Sequence, residues 1–430
     1  MISRDVVNLG FVVNVIEDPE ERAETLKKAY GLAQKVLSVS AMLTSETFLR
    51  GYKPFRDGII TKRQTFQKYF TQEGLKSFIE TTLETNAIAV RPGVFFVFKS
   101  EDDEQEFLSN RQRRAVSRTY LIKRERKINK TSRPYVPRVD RTLKIEENKE
   151  TIEKFWETCL SFGRVCLRDE TELFEPVRKV FGSISKAFQY CLEKFGKEAW
   201  DQSRQNRQED LLVFLALGLF GKRKAYSHHP KSLQRDFKEF FGSYNDGLEL
   251  AKRQLFSVGD FTLIREACLQ AHRDQCGYLL GDHSIQLHTS LIPRLPAILR
   301  IYIGCATQLY GDVENADLVK IHMQSRKVSL MLYDDFWDNP LPSLKERIKI
   351  NLLEQKIDFF DYSQKDQTQI HYLKSRFLNP SHPKYSTIKS FDDKIQALGI
   401  FDFSGFGPPA SVFLRALQEQ GVNIHGQSDY

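Results

Sequence analysis

Short β-branched or aromatic runs alternate with helical periods over the first 110 residues, and this alternation constrains the fold more than any other feature. VVNLGFVVNV precedes a helical pattern that begins at Pro19, and KVLSVSAML follows it. A second helix is predicted after Thr71, a favourable capping residue, and Pro92 and Gly93 then join AIAVR to VFFVFK as a hairpin. The pattern is typical of an α/β domain, and the two early runs lack alternation, which favours a mostly parallel, buried sheet.

Residues 111–141 form the sharpest break in composition. Twelve Lys or Arg residues but only Glu125 and Asp140 lie there, so this segment accounts for the whole formal charge of +8. We interpret residues 111–144 as a basic linker that is either a solvated connector or a contact surface for the DNA backbone. The candidate nucleic-acid-binding residues are Arg111, Arg113, Arg114, Arg118, Lys123, Arg124, Arg126 and Lys127.

The rest of the chain divides into two further regions. Apolar residues recur every three or four positions over residues 145–310, which predicts a mainly helical domain. Alternating runs then predict a small α/β module over residues 311–430, with a helix over PSLKERIKINLLEQ. Together with the α/β domain over residues 1–110 and the basic linker over residues 111–144, these regions divide the chain into four parts.

Composition also bears on the cellular compartment. The chain has 430 residues, 41% of them hydrophobic, and its six Cys residues form no paired framework. We therefore expect reduced thiols and a cytoplasmic protein. The longest apolar run, LLVFLALGLF, is about half of what a bilayer crossing requires, so no membrane contact is expected.

Several motifs resemble sites of chemistry. GFGPPA, with Gly405, Gly407 and Ala410, resembles a phosphate-binding loop, but its two prolines remove backbone donors, so a rigid turn before a helix is favoured. Cys268, His272 and Cys276 have helical spacing but form no CxxC pair, and buried structural residues are favoured. No metal site is expected, and the acidic residues of DDFWD are interpreted as capping the helix after them.

The first hundred residues also resemble the second half of a class I S-adenosylmethionine-dependent methyltransferase. DVVNLGFVVNV would be the fourth strand, the following helix and KVLSVS would continue the sheet, and the AIAVR and VFFVFK pair would finish it. Over nearly the whole length the chain resembles the bacterial DNA phosphorothioation-associated methyltransferases. That resemblance is carried by VNLGFVVNVIEDPEERAE, TKRQTFQKYFTQEGLK, PGVFFVFK, LRIYIGCATQLYG, DLVKIHMQSRKVSLMLYDDF and ALGIFDFSGFGPP.

The resemblance implies a fold, a cofactor and candidate residues. The fold would be a partial Rossmann-like sheet with S-adenosylmethionine as methyl donor. Asn8, Gly10 and Phe11 would lie at the donor, and Asn8 and Asn14 are the catalytic candidates because they could hydrogen-bond a polar acceptor. Alternatively, Asn14 caps a turn and Phe11 belongs to the core.

The family's first strand, glycine-rich donor loop and acidic second strand have no counterpart in this sequence. We expect the product of an upstream reading frame, or an earlier start of the same frame, to complete the sheet. The alternative function is a non-catalytic accessory protein that binds nucleic acid or a partner.

Overall fold

A computed structural model describes residues 3–43, 53–61, 63–114, 144–221, 224–311, 313, 316–362, 369–403 and 407–419. The protein is a mixed α/β protein that divides into two compact units. One unit, here called the sheet unit, comprises Met1–Asp103 and Gln254–Tyr430, and the other, the helical unit, comprises Glu104–Arg253. The chain therefore leaves the sheet unit once and returns to it.

Thirteen strands occur among the described residues, and all lie in the sheet unit. They are β1 (Arg4–Gly10), β2 (Ala33–Ser40), β3 (Lys53–Phe55), β4 (Gly58–Ile60), β5 (Phe66–Gln67), β6 (Ile88–Arg91), β7 (Val94–Phe98), β8 (Tyr278–Leu280), β9 (Ser284–His288), β10 (Leu318–His322), β11 (Lys327–Tyr333), β12 (Leu344–Asn351) and β13 (Lys356–Asp361).

The α-helices of the described residues are numbered in the same way. They are α1 (Pro19–Leu32), α2 (Gln72–Leu83), α3 (Glu101–Arg111), α4 (Lys149–Phe162), α5 (Phe174–Phe181), α6 (Ile184–Phe195), α7 (Lys197–Gly218), α8 (Lys231–Phe241), α9 (Tyr244–Ser257), α10 (Phe261–Arg273), α11 (Ala297–Tyr310), α12 (Tyr385–Ala397) and α13 (Ala410–Glu419).

The N-terminal sheet has the strand order β1-β2-β7-β6. β1 and β2 are parallel and are joined through α1, because parallel neighbours need a crossover connection. β7 runs antiparallel to both β2 and β6, so the sheet is mixed, with β1, β2 and β6 running in one direction and β7 in the other. The unalternating run in β1 is instead an edge strand in which, among seven residues, only Leu9 is buried.

The local signals in the N-terminal sequence are confirmed. The Asp18 carboxylate accepts a hydrogen bond from the Glu20 N–H at 2.8 Å, so α1 begins at Pro19. Thr71 caps α2 through its hydroxyl oxygen. The β6–β7 hairpin turns at Gly93, whose φ of +69° and position against the Ala41 carbonyl leave no room for a side chain.

The C-terminal sheet is fully antiparallel, with the order β13-β12-β11-β10-β9-β8. The predicted helix over PSLKERIKINLLEQ was wrong, because Leu344–Asn351 forms β12, paired with β11 and β13. Ile348 and Ile350 are buried while Arg347 and Lys349 beside them are not, which is the period of two that a strand requires.

One face of this sheet packs against α10 and α11 to form the largest core cluster. A third, small sheet has the order β3-β4-β5, and the N-terminal sheet is also connected to α11 within the sheet unit. The side chain of Gln72 accepts from the Gly93 N–H at 2.8 Å and donates to the Tyr310 carbonyl at 3.2 Å, so it ties the β6–β7 turn to the end of α11. Because α10, α11, β8 and β9 belong to the sheet unit, the structure divides the chain differently from the predicted boundary at residue 310.

The helical unit is organised around buried charges as well as apolar residues. Asp236 is fully buried and accepts hydrogen bonds from Arg164 and Arg207, each at 2.6 Å. Arg164 also makes a bidentate pair with Glu170. Burial alone would raise the pKa of the Glu170 carboxyl, but hydrogen bonds from Arg164 and Arg235 lower it to about 2. Removing one member would leave an uncompensated charge in the interior.

No helix in the described ranges combines the length and the apolar character that crossing a bilayer demands.

Candidate functional site

The carboxyl ends of β1 and β2 meet at one edge of the N-terminal sheet, and the structure brings three of the predicted residues together there. Asn8 and Gly10 lie in the last three residues of β1, and Phe11 follows directly. A Cβ atom at Gly10 would lie 3.6 Å from the amide of Asn8, so the two residues are neighbours. Ligands of open α/β sheets bind beyond the carboxyl ends of strands, which makes this edge the first candidate site.

Phe11 adopts an uncommon backbone conformation. Its φ is +59°, in the left-handed region, and its ring is 57% exposed. The Phe11 N–H donates to the Ser40 carbonyl at 2.8 Å, which fixes the turn to the end of β2. The alternative that Phe11 belongs to the core does not agree with this exposure. Strained residues of this kind are frequent at ligand sites, but the assignment to a methyl donor stays a prediction.

Asn14 has a different environment. It is 1% exposed, and its amide group donates to the Lys68 and Met42 carbonyls. Its carbonyl oxygen accepts from the Met42 N–H at 2.9 Å. The side chain therefore cross-links the loops after β1, β2 and β5, and both ends of the amide are already engaged within the protein.

The outer edge of β1 has no pairing strand among the described residues. Val6 on this strand is 61% exposed. Val12, Val15 and Met42, close to the carboxyl ends of β1 and β2 in the sequence, are 36%, 54% and 45% exposed. An open edge next to exposed apolar side chains is a surface that natural sheets usually cover.

The basic segment is only partly described. Arg113 donates to the Ser161 carbonyl at 2.7 Å, and burial with the nearby Arg207 lowers its pKa to about 10. Arg114 pairs with Glu209 at 2.6 Å and with Asp210 at 3.2 Å. These two side chains thus help hold the helical unit together, while Arg111 ends α3. Arg118, Lys123, Arg124, Arg126 and Lys127 lie outside the described residues, so their prediction as DNA contacts stays open.

The other motifs have structural surroundings. Cys268 and Cys276 are buried, burial raises the pKa of the Cys268 thiol to about 12, and His272 contacts the Gly277 carbonyl at 2.9 Å. Within the described ranges no three His, Cys, Asp or Glu side chains gather as metal ligands would. In the DDFWD segment, Asp334 accepts from the Ser343 N–H and Asp338 pairs with Lys384, so these carboxylates hold a loop rather than cap a helix.

A basic face of the C-terminal sheet was missed by sequence reasoning. Lys320 on β10 pairs with Ser329 on β11, and Ser329 pairs with Lys349 on β12. Arg347 on β12 pairs with Met331, two residues after Ser329. Lys320, Arg347 and Lys349 therefore lie on the same face of the sheet. Burial and these cations, with Lys327, lower the pKa of His322 to about 4. The sequence contained a signal for this face. Lys320 and His322 are two residues apart, as are Arg347 and Lys349, and residues two apart on a strand lie on the same face.

Comparisons with protein-family models, curated proteins and solved structures give no match to this chain.

Proposed function

We propose that this protein supplies the second half of an S-adenosylmethionine-dependent methyltransferase associated with DNA phosphorothioation. One observation carries the proposal, namely the strand order β1-β2-β7-β6 with a parallel first pair and an inserted antiparallel β7. This order resembles the way in which a class I methyltransferase sheet continues from its fourth strand to its end. It supports the resemblance already carried by the sequence.

The residues at the carboxyl end of β1 are suited to hold a ligand. Gly10 lets a ligand approach the backbone closely, and the exposed Asn8 amide can donate to and accept from a polar group. The exposed Phe11 ring can pack on the donor's adenine or on the acceptor. In this proposal Asn14 acts as a positioning residue, because it holds the loop that follows Phe11.

The open edge of β1 supports a second part of the proposal. The donor loop and the acidic second strand of the family would come from strands that pair with β1, and the product of an upstream reading frame is the proposed source. A parallel strand at this edge would cover Val6, and the added loops would approach Phe11. Methyl transfer, in this proposal, requires both parts.

Titration calorimetry with S-adenosylmethionine tests the proposal. The chain alone is expected to show no binding, and an equimolar mixture with the upstream product is expected to bind the donor. In that mixture Asn8→Ala should weaken donor binding or methyl transfer, whereas Asn379→Ala, a substitution of the same type in the C-terminal module, should leave both unchanged. If the mixture binds no donor, the methyltransferase proposal fails.

The second candidate is an accessory protein that binds nucleic acid without transferring a methyl group. The observation that favours it is the basic face formed by Lys320, Arg347 and Lys349. Salt-sensitive binding of DNA by a chain that never binds S-adenosylmethionine would favour this candidate.

A further inference from the structure

A large cavity lies in the C-terminal module, on the polar side of the antiparallel sheet. Its volume is about 860 Å³, which is within the range of sites for small organic ligands. Strands β8, β9, β11 and β12 form one wall, and the start of α13 forms part of another. The methyltransferase proposal uses none of these residues, so an inference about the cavity does not depend on it.

The charged side chains that line the cavity, among the residues that the structure describes, are basic. Arg347 and Arg376 line it, and no Asp or Glu is among the lining residues that the structure describes. The guanidinium group of Arg376 is held by the Phe403 carbonyl at 2.6 Å and lies 4.9 Å from the centre of the Tyr278 ring. Arg347 has a long contact of 3.4 Å with the Gln369 side chain. Two guanidinium groups, with no carboxylate among the described lining residues, favour an anion.

A helix N-terminus adds to the positive electrostatic potential of the cavity. Ala410 and Ser411, the first two residues of α13, line the cavity. The earliest intrahelical bond is donated by Phe413 to the Pro409 carbonyl, at 3.0 Å, so the N–H groups before it lie in the unpaired first turn. Although Pro408 and Pro409 contribute no donors, the helix after them presents its positive end to the cavity.

His371 provides an independent observation that points to a ligand. It lines the cavity, and its Nε2 atom is buried without a hydrogen-bond partner among the described residues. Its Nδ1 atom lies 3.4 Å from the Tyr333 hydroxyl. Burial, and next the charge of Lys374, lower the pKa of His371 to about 3, so the ring is neutral and can share one hydrogen bond with a polar ligand.

The remaining walls are rich in aromatic rings. Tyr278, Tyr333, Tyr372, Phe377 and Phe403 line the cavity, and Gln286 and Gln369 offer amide groups between them. Aromatic surfaces hold planar bases by stacking, and amides recognise the edges of bases. A simple inorganic anion would leave most of this apolar surface without a contact.

We propose that the cavity binds a nucleotide, with its phosphate at Arg347 and Arg376 near the start of α13 and its base among the aromatic rings. A free mononucleotide and a nucleotide within a DNA strand share this chemistry. The basic face continues from the cavity, because Gln286, Met331 and Arg347 also line a smaller hollow with Lys320 and Lys349. A strand whose terminal nucleotide enters the cavity would therefore find further cations for its neighbouring phosphates.

Titration of the full-length protein with four probes tests this proposal. The probes are deoxyadenosine monophosphate, deoxyadenosine, inorganic phosphate and a 5′-phosphorylated single-stranded oligodeoxynucleotide. We expect the monophosphate or the oligonucleotide to bind more tightly than phosphate or the nucleoside. Arg347→Gln should reduce that binding about tenfold, the usual effect of one charge-assisted contact.

Arg415→Gln provides the matched control, because Arg415 is an exposed residue of α13 that does not line the cavity. It removes the same charge and should change the affinity less than twofold. Circular dichroism of both variants checks that they are folded, and Gln286→Leu offers a second variant that leaves the charge unchanged.

Each outcome decides the proposal. Tight binding of the monophosphate assigns a free nucleotide, and binding of the oligonucleotide alone assigns a DNA strand. Equal binding of inorganic phosphate and the monophosphate would overturn the proposal, since the aromatic walls would then have no role. Absence of binding by both nucleotide probes, or equal losses in the Arg347 and Arg415 variants, would overturn it as well.

Discussion

At the scale of single residues, two asparagines with the same predicted role have different environments. Asn8 is exposed on an edge strand. Asn14 is buried and engaged at both ends of its amide. The sequence could not separate them, because hydrogen-bond partners 28 and 54 positions away decide the environment of Asn14.

Alanine substitution of the two asparagines should distinguish them. Asn14→Ala removes the three hydrogen bonds of a buried side chain, so the free energy of unfolding should fall by about 3 kcal/mol. Asn8→Ala should change it by less than about 0.5 kcal/mol, as is usual for exposed sites. Urea unfolding followed by circular dichroism measures both values. Equal losses would contradict the contacts described for Asn14.

At the scale of elements, local sequence patterns predicted where most helices and strands form. They did not predict where a strand lies within its sheet. The helices α1 and α2 and the β6–β7 hairpin followed from capping residues and turn residues. β12 was mistaken for a helix because several of its residues have high helix propensity, whereas its alternation in burial is that of a strand. The position of β1 at an edge depends on its pairing with β2 and not on its own sequence.

Charge on the edge strand should interfere with strand addition. Val6→Lys places a charge on the exposed edge, so it should weaken association with the proposed upstream product at least tenfold while the chain alone keeps its stability. Leu353→Lys is the control, because Leu353 is 69% exposed in the turn between β12 and β13. Analytical ultracentrifugation of the mixtures measures the association. An unchanged affinity of the Val6 variant would argue against pairing at β1.

At the scale of the whole molecule, the two units contain different kinds of buried polar groups. The helical unit contains the ion-pair network of Asp236 and Glu170. The sheet unit contains neutral histidines, since burial lowers the pKa of His288 and His322 to about 4 and that of His371 to about 3. Their responses to acid should therefore differ.

Mild acid should destabilise the sheet unit. The unfolded chain binds protons at these histidines near pH 6.5 while the folded chain does not, so the free energy of unfolding falls as the pH decreases from about 6.5 towards 4. Burial raises the pKa of Asp317 and Asp392, which acts in the opposite direction, but two carboxyls offset three histidines only in part. We expect a net loss of a few kcal/mol between pH 7 and pH 5.

Hydrogen exchange measured by mass spectrometry at both pH values, corrected for intrinsic rates, can assign this loss to a unit. Peptides of the sheet unit should lose protection, and those of the helical unit should retain it, because Glu170 keeps its charge until the pH approaches 2. His322→Gln should reduce the pH dependence, and His283→Gln, in an exposed turn, should not. Equal loss in both units would contradict the expectation.

The sequence by itself determined the helices that begin at Pro19 and after Thr71, the β6–β7 hairpin and the basic character of residues 111–141. These features depend on neighbouring residues, whose capping, turn and charge patterns act over a few positions. Only the tertiary structure decided that β1 is an edge strand, that Arg113 donates to Ser161 and Arg114 pairs with Glu209, and that β10 and β12 gather their cations on one face. Such properties depend on contacts between distant segments, because burial and strand pairing are set by the folded chain as a whole.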